Sequence, residues 1–145
     1  MFESCVAKQN EIKKIFEACP TVESKYQKII EFGRQQSPLA ESHKIPANIV
    51  KGCQSTMYLR SYWEGDTIKF EAESDALISS GLAAILLKVY SGETPETILK
   101  CPPNYLEDLG ISASLTPNRA NGLYSIHLRM KQDALKMLIE KQKSS

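Results

Sequence analysis

Apolar residues recur at three- and four-residue intervals in several long stretches of the chain, as they do on the buried face of an α-helix. These stretches predict helices over 3–18, 21–36, 74–90 and from 116 onward. In the last of them the apolar positions form one stripe, which comprises Leu123, Ile126, Met130, Ala134 and Leu138. Such a stripe indicates a helix that packs on a core rather than a cofactor-binding motif.

Residues that favour helix starts support these boundaries. Thr21 can cap the second helix, and Ser74 followed by Asp75 can begin the third. Thr94 can cap a further short helix, with Pro95 in its first turn. Another one or two helical turns are predicted over 105–109.

In the middle of the chain the apolar spacing changes from the helical period to a period of two. Strands are predicted over 48–50, 57–63 and 67–72, with a hairpin turn at 64–66. Ile68, Phe70 and Ala72 alternate with polar residues, as in a half-buried strand. The sequence therefore predicts an α+β fold, in which a small antiparallel sheet packs with helices and the loop around Cys53 joins the first two strands.

Composition narrows the class of protein. Of the 145 residues, 42% are apolar and 24% are charged, which is ordinary for a globular protein, and the length predicts a single domain over 1–145. The formal net charge is +1 with acidic and basic residues interspersed, which argues against nucleic-acid binding. The longest apolar run, 81–87, is too short to span a bilayer, and no secretory signal pattern is visible. We therefore expect a cytoplasmic protein that binds neither nucleic acid nor membrane.

Four cysteines are scattered through the chain, and no pair has the C-x-x-C spacing of a zinc or redox site. We expect Cys5, Cys19 and Cys101 to be small buried hydrophobic residues. Cys53 differs, because it lies between Gly52 and small polar residues in a turn with strand-like sequence on both sides. This setting indicates one thiol that is presented as a nucleophile.

Several segments carry a family resemblance. They read VKGCQS at 50–55, SDA at 74–76, GL at 81–82 with TP at 94–95, and LTPNRANGL at 115–123, preceded by YQKIIEFG at 26–33. In this order and at these separations they resemble the SufE family of sulfur-acceptor proteins, also called CsdE-like. Two positions depart from the family: Tyr58 stands where many relatives have tryptophan, and Thr116 replaces a common serine.

The resemblance implies a three-stranded antiparallel sheet wrapped by helices, similar to the fold of the IscU scaffold proteins. It implies that Cys53 is the catalytic nucleophile. Cys53 would take persulfide sulfur from a cysteine desulfurase of the SufS or CsdA type, stimulate that enzyme and deliver sulfur to a scaffold such as SufBCD. The protein would then be an accessory carrier rather than a stand-alone enzyme. Pyridoxal phosphate belongs to the desulfurase, so we expect no cofactor and no metal on this chain, and we expect a monomer.

Residues around Cys53 are expected to support its chemistry. Gly52 would let the loop backbone adopt conformations with positive φ. Gln54 and Ser55 would hydrogen-bond the loop backbone and stabilise the thiolate or persulfide. Asp75 is either an ordinary acid in the first turn of a helix or, as the resemblance implies, the anchor of the loop at rest. Arg119 is either part of an exposed salt bridge or, as the resemblance implies, a cation near the loop or at the desulfurase interface. The resting thiol is expected to pack against apolar surface, with a raised pKa.

Three other functions stay open from the residues alone. In a cysteine-dependent hydrolase, His43 or His127 would serve as the base for Cys53, although the sequence shows no orienting partner for either. We expect His43 to be solvated and His127 to be a partly buried surface residue. An iron–sulfur scaffold would need several thiolate ligands, of which only Cys53 lies in a suitable loop. A pure interaction module would make the cysteine incidental.

Overall fold

A computed structural model describes residues 2–53, 55–111, 115 and 117–144. Within these residues the chain forms helices and one β-hairpin in the following order: α1 (Glu3–Glu17), α2 (Val22–Arg34), β1 (Met57–Glu64), β2 (Thr67–Ser74), α3 (Leu77–Tyr90), α4 (Pro95–Lys100), α5 (Tyr105–Asp108) and α6 (Pro117–Ser144). Two short 3₁₀ turns, Glu41–His43 and Pro46–Asn48, lie between α2 and β1. The α+β class is as expected.

The predicted third strand is absent from the described residues, where the sheet contains only β1 and β2. Ile49 makes a single antiparallel bridge with Tyr58, and the Val50 N–H donates to the Met57 carbonyl at 2.8 Å. The 3₁₀ turn Pro46–Asn48 occupies the positions before them. Proline fixes φ and has no N–H to donate to a sheet, so the extended backbone is too short to form a strand.

Two of the predicted helix caps are confirmed, and one is wrong. The Thr21 hydroxyl accepts from the Ser24 N–H at 3.0 Å, and the Thr94 hydroxyl accepts from the Thr97 N–H at 3.3 Å. Ser74 does not cap α3, which begins three residues later. Ser74 pairs with the first residue of β1, so its backbone is held extended, and its hydroxyl accepts from the Ala76 N–H at 3.2 Å.

Helix α3 lies at the centre of the fold and contacts α1, α2, α6 and β2. It is apolar on almost every side, and buried residues follow one another without a break from 81 to 87. A helix with this composition belongs inside a core rather than at its surface.

The crossing of α2 and α3 depends on two glycines. A Cβ on Gly33 would lie 2.8 Å from the Gly81 nitrogen, and a Cβ on Gly81 would overlap the Ile29 carbonyl oxygen. The two backbones therefore approach more closely than any side chain would allow. This explains the glycine at both positions.

Helix α6 packs against α3 and supplies a further part of the core. Leu123, Ile126, Met130 and Ala134 are buried, which confirms most of the predicted stripe, while Leu138 is half-buried. No helix in the described ranges is both long enough and apolar enough to cross a membrane.

Candidate functional site

The Cys53 loop, defined as residues 51–56, leaves the core and returns to it at neighbouring points. The residues on either side of it, Val50 and Met57, are buried, and the hydrogen bond between their backbones closes the base of the loop. The loop is therefore short, with both of its ends fixed in the core.

Gly52 gives the loop a conformation that other residues would not adopt. Its φ is 91°, and a Cβ there would lie 2.5 Å from the Ser125 hydroxyl oxygen on α6. The Ser125 hydroxyl donates to the Gly52 carbonyl at 3.4 Å. Glycine is thus required both for the positive φ and for close contact with α6.

The Cys53 thiol is half-buried and packs against the hydrophobic core. Its Sγ lies 3.9 Å from the Gly122 carbonyl oxygen of α6, to which the thiol is a weak donor. Burial raises the pKa of the thiol above its ordinary value. The resting thiol thus packs against apolar surface and has a raised pKa.

Ser55 fixes the far side of the loop. Its hydroxyl donates to the Ser79 hydroxyl on α3 at 2.8 Å and lies 3.3 Å from the Ser74 hydroxyl at the end of β2. With the described residues, Ser55 makes these side-chain contacts rather than the expected bonds to the loop backbone, because the start of α3 lies next to the loop.

Arg129 on α6 holds the segment that leads into the loop, and sequence reasoning missed it. Its guanidinium donates to the Ile49 carbonyl at 2.8 Å and to the Ala47 carbonyl at 2.5 Å. Its Nε donates to Asp133 at 2.8 Å, and that carboxylate accepts from the Ser61 hydroxyl at 2.6 Å. Arg129 and Asp133 at helical i, i+4 spacing could have been recognised as a pair. The two carbonyl acceptors could not, because they lie about eighty residues away.

The structure describes only some of the other predicted supporting residues. Asp75 is exposed between β2 and α3 and forms no hydrogen bond or ion pair with the residues whose side chains are described. Gln54 and Thr116 lie outside the described residues, and Arg119 lies near the start of α6 with its side chain outside them. The roles of Asp75, Gln54 and Arg119 stay predictions.

Among the described residues, no hydrogen bond joins either histidine to the Cys53 sulfur. The His43 carbonyl accepts from the Asn48 side chain at 2.8 Å in the 3₁₀ region before the loop. His127 is buried, so the expectation of a surface position was wrong; its ring centroid lies 5.2 Å from that of Tyr90. Its Nε2 has no hydrogen-bond partner among the described residues, and burial lowers its pKa to about 4. His127 lies about 140° around α6 from Gly122, which contacts Cys53.

The remaining cysteines lie elsewhere in the fold. Cys5 and Cys101 are buried as expected, on either side of the Gln9 amide, whereas Cys19 is only partly buried. In the part of the chain that the structure describes, no cluster of three or more His, Cys, Asp or Glu residues is arranged to hold a metal ion.

The sequence of this chain is similar to one family model and to proteins of other organisms. The model of the family described as "SufE: Fe-S metabolism associated domain" matches residues 10–134. An uncharacterized SufE-like protein of Synechocystis is 36% identical over 111 residues, which cover 77% of this chain and 70% of that protein. The SufE-like protein 1, chloroplastic/mitochondrial, of Arabidopsis thaliana is 32% identical over 144 residues, which cover 99% of this chain but only 39% of that protein.

A solved structure shares the fold. The solution structure of a hypothetical protein from Thermus thermophilus matches with a TM-score of 0.75 over 91% of this chain and 96% of that chain. The sequence identity of the pair is 23%, so the similarity is one of fold.

Proposed function

We propose that this chain, which belongs to the SufE family of domains associated with Fe–S metabolism, accepts sulfur on Cys53 from a cysteine desulfurase and carries it toward iron–sulfur cluster assembly. The observation that supports the proposal most directly is the setting of Cys53. A single thiol lies in a short loop fixed at both ends, half-buried against α6.

The chemical step is the transfer of one sulfane sulfur between two cysteines. The Cys53 thiolate attacks the outer sulfur of the desulfurase persulfide, and a new S–S bond forms on Cys53. The bond between that sulfur and the desulfurase cysteine breaks, and the desulfurase cysteine leaves as a thiolate. One negative charge is present before and after the step, and the proton of the persulfide travels with its sulfur. No external oxidant or reductant is needed.

The resting geometry suits a carrier that must not react prematurely. A buried thiol with a raised pKa is a poor nucleophile, since the thiolate is the reacting form. If the sulfur left its contact with Gly122 for a polar environment, it would be less buried. The thiol would then ionise more readily. We therefore infer that the desulfurase draws the loop out before transfer, and that the same movement stimulates turnover by removing sulfur from the enzyme.

The surroundings of Cys53 also favour retention of the transferred sulfur as a persulfide. Among the described residues, the only hydrogen bond of the Cys53 sulfur is to the Gly122 carbonyl, and no second thiol takes part. A neighbouring thiol would attack the new persulfide and release sulfide. The pyridoxal phosphate of the reaction belongs to the desulfurase, so the proposal needs no cofactor on this chain.

The test is peptide mass spectrometry after incubation with a cysteine desulfurase and L-cysteine. We expect one added sulfur on Cys53, which a reductant removes, and no added sulfur elsewhere after Cys53→Ser. Cys19→Ser is the matched control, because Cys19 is also partly exposed, and loading should be unchanged in it. Desulfurase turnover should be stimulated by the wild type and by Cys19→Ser, but not by Cys53→Ser. If two active desulfurases both leave Cys53 unmodified, the proposal is refuted.

A further inference from the structure

Helix α6 has a second apolar face, which nothing in the described structure covers. Large apolar side chains are 54%, 52%, 48% and 43% exposed along it: Tyr124, Leu128, Leu135 and Ile139. At about 100° per residue these four positions lie within an arc of about 60°, whose centre is about 130° around α6 from the centre of its buried residues. A surface helix needs only one apolar face for its own core. We call these four residues the α6 stripe.

The α6 stripe is joined to the Cys53 loop by a groove. The groove is lined by Lys51 of the loop, by Ser125, which contacts Gly52, and by Leu128 of the stripe. The stripe then extends for about 22 Å along the helix, at about 1.5 Å per residue from 124 to 139.

The border of the α6 stripe is basic. Lys51, Lys136 and Lys143 are exposed, and none of them forms an ion pair with a residue that the structure describes. Glu140 lines the same groove as Lys143, while Asp133 is held by Arg129. A partner that covers the stripe is therefore best matched by an apolar strip with carboxylates along its edge.

We propose that the α6 stripe is a docking surface for the cysteine desulfurase, a proposal that rests on the function proposed above. Any donor that reaches Cys53 also covers the adjoining part of α6. Stable interfaces bury on the order of 800 Å² on each partner, which is more than a six-residue loop supplies. The stripe shares with the loop the groove lined by Lys51 and Leu128, so an interface that starts at the loop can extend onto the stripe. A second copy of this chain is a poorer occupant than the desulfurase, because two identical stripes would bring lysines of like charge together.

The test compares two pairs of surface substitutions by calorimetric binding to a desulfurase that loads sulfur onto wild-type Cys53. In Leu128→Gln/Leu135→Gln, both substituted side chains are exposed and glutamine favours helices, so the fold is retained. We expect its Kd to rise by at least about tenfold, as for residues at the centre of an interface. The control is Val6→Gln/Ile15→Gln on α1, with exposures of 40% and 38%, whose Kd should change by less than about twofold.

Two further measurements distinguish the alternatives. At saturating desulfurase the sulfur loading of Cys53 in Leu128→Gln/Leu135→Gln should equal that of the wild type, because only docking is weakened. An unchanged Kd in this variant overturns the docking surface while leaving the sulfur-acceptor function intact. Light scattering that shows a wild-type dimer and a monomeric variant would assign the stripe to a second copy and also overturn the proposal. If no desulfurase loads the wild type, the proposed function itself fails.

Discussion

At the scale of single residues, Cys53 is restrained mostly through its neighbours. Its own sulfur makes one weak contact, at 3.9 Å from the Gly122 carbonyl oxygen. Gly52 and Ser55 make the better hydrogen bonds, which connect the loop to α6 and to α3. The sulfur can thus leave its position at a small cost in free energy, while the base of the loop stays in place.

The raised pKa of Cys53 predicts a distinctive pH dependence of its alkylation. In the folded chain we expect the rate with iodoacetamide to rise with pH and to reach half its limit above pH about 8.5, the ordinary thiol value. At pH 7 each unit by which the pKa is raised slows the reaction about tenfold, because only the thiolate reacts. The chain unfolded in guanidinium is the control, and quantitative mass spectrometry of the Cys53 peptide gives the rate. A folded rate at pH 7 equal to the unfolded one would contradict the resting geometry.

At the scale of elements, the segment before the loop is attached to α6 by one side chain. The planar guanidinium of Arg129 reaches two backbone carbonyls and a carboxylate at once. A lysine ammonium cannot reproduce this fork of donors. The attachment fixes where the loop starts, even though the segment is too short to be a strand.

Arg129→Lys should therefore loosen the loop. We expect a loss of about 1–3 kcal/mol in the free energy of unfolding, since charge-assisted bonds to backbone carbonyls are lost, and a several-fold faster alkylation of Cys53 at pH 7. Arg60→Lys is the matched control, because Arg60 pairs with Glu71 on the partly exposed hairpin, and it should cost less than about 1 kcal/mol. Urea titration and the alkylation assay measure both quantities. Equal behaviour of the two variants would show that Arg129 does not hold the loop.

The α2–α3 crossing gives a second prediction at this scale. Gly81→Ala should lower the free energy of unfolding by about 3 kcal/mol, because the new Cβ would overlap the Ile29 carbonyl oxygen. Gly122→Ala on α6 is the control: its Cβ would meet the Cys53 sulfur at 3.9 Å, an ordinary contact, so it should be neutral or stabilising by up to about 1 kcal/mol. Urea denaturation of both variants tests the difference. Similar losses would mean that helix propensity, rather than the crossing, determines the effect.

At the scale of the whole molecule, α6 joins the core to the site. One of its faces supplies Leu123, Ile126 and Met130 to the core, and another carries the contacts to Gly52 and Cys53. Because the same helix does both, the position of the loop depends on the packing of the whole fold as well as on Gly52.

The sequence alone was sufficient for features that depend on local spacing. Apolar periodicity predicted the long helices, alternation predicted the hairpin, and the flanking residues of Cys53 indicated its turn. The short third strand was predicted wrongly, because Pro46 begins a 3₁₀ turn that leaves too little extended backbone. Ser74 was misassigned because pairing with Met57 overrides its preference for a helix cap.

Features that depend on contacts between distant residues could not be predicted. The carbonyl acceptors of Arg129 and the hydroxyl partners of Ser55 are set by packing, and no local pattern indicates them. His127 looked like a surface residue, since a polar side chain next to an apolar stripe is usually exposed. Its burial against Tyr90 follows from how α6 packs across α3.

The closed base of the Cys53 loop limits how far the sulfur can travel. Cys53 is three peptide units from Val50, whose backbone is bonded to Met57. At no more than about 3.5 Å per residue, the Cα of Cys53 can extend to roughly 10 Å from that fixed point. The Cys53 side chain adds about 3 Å, so a donor persulfide must come within roughly 13 Å of that point. A compatible desulfurase must therefore hold its persulfide in a cleft that is shallow enough for Cys53 to reach. This requirement is as strict as the chemical one.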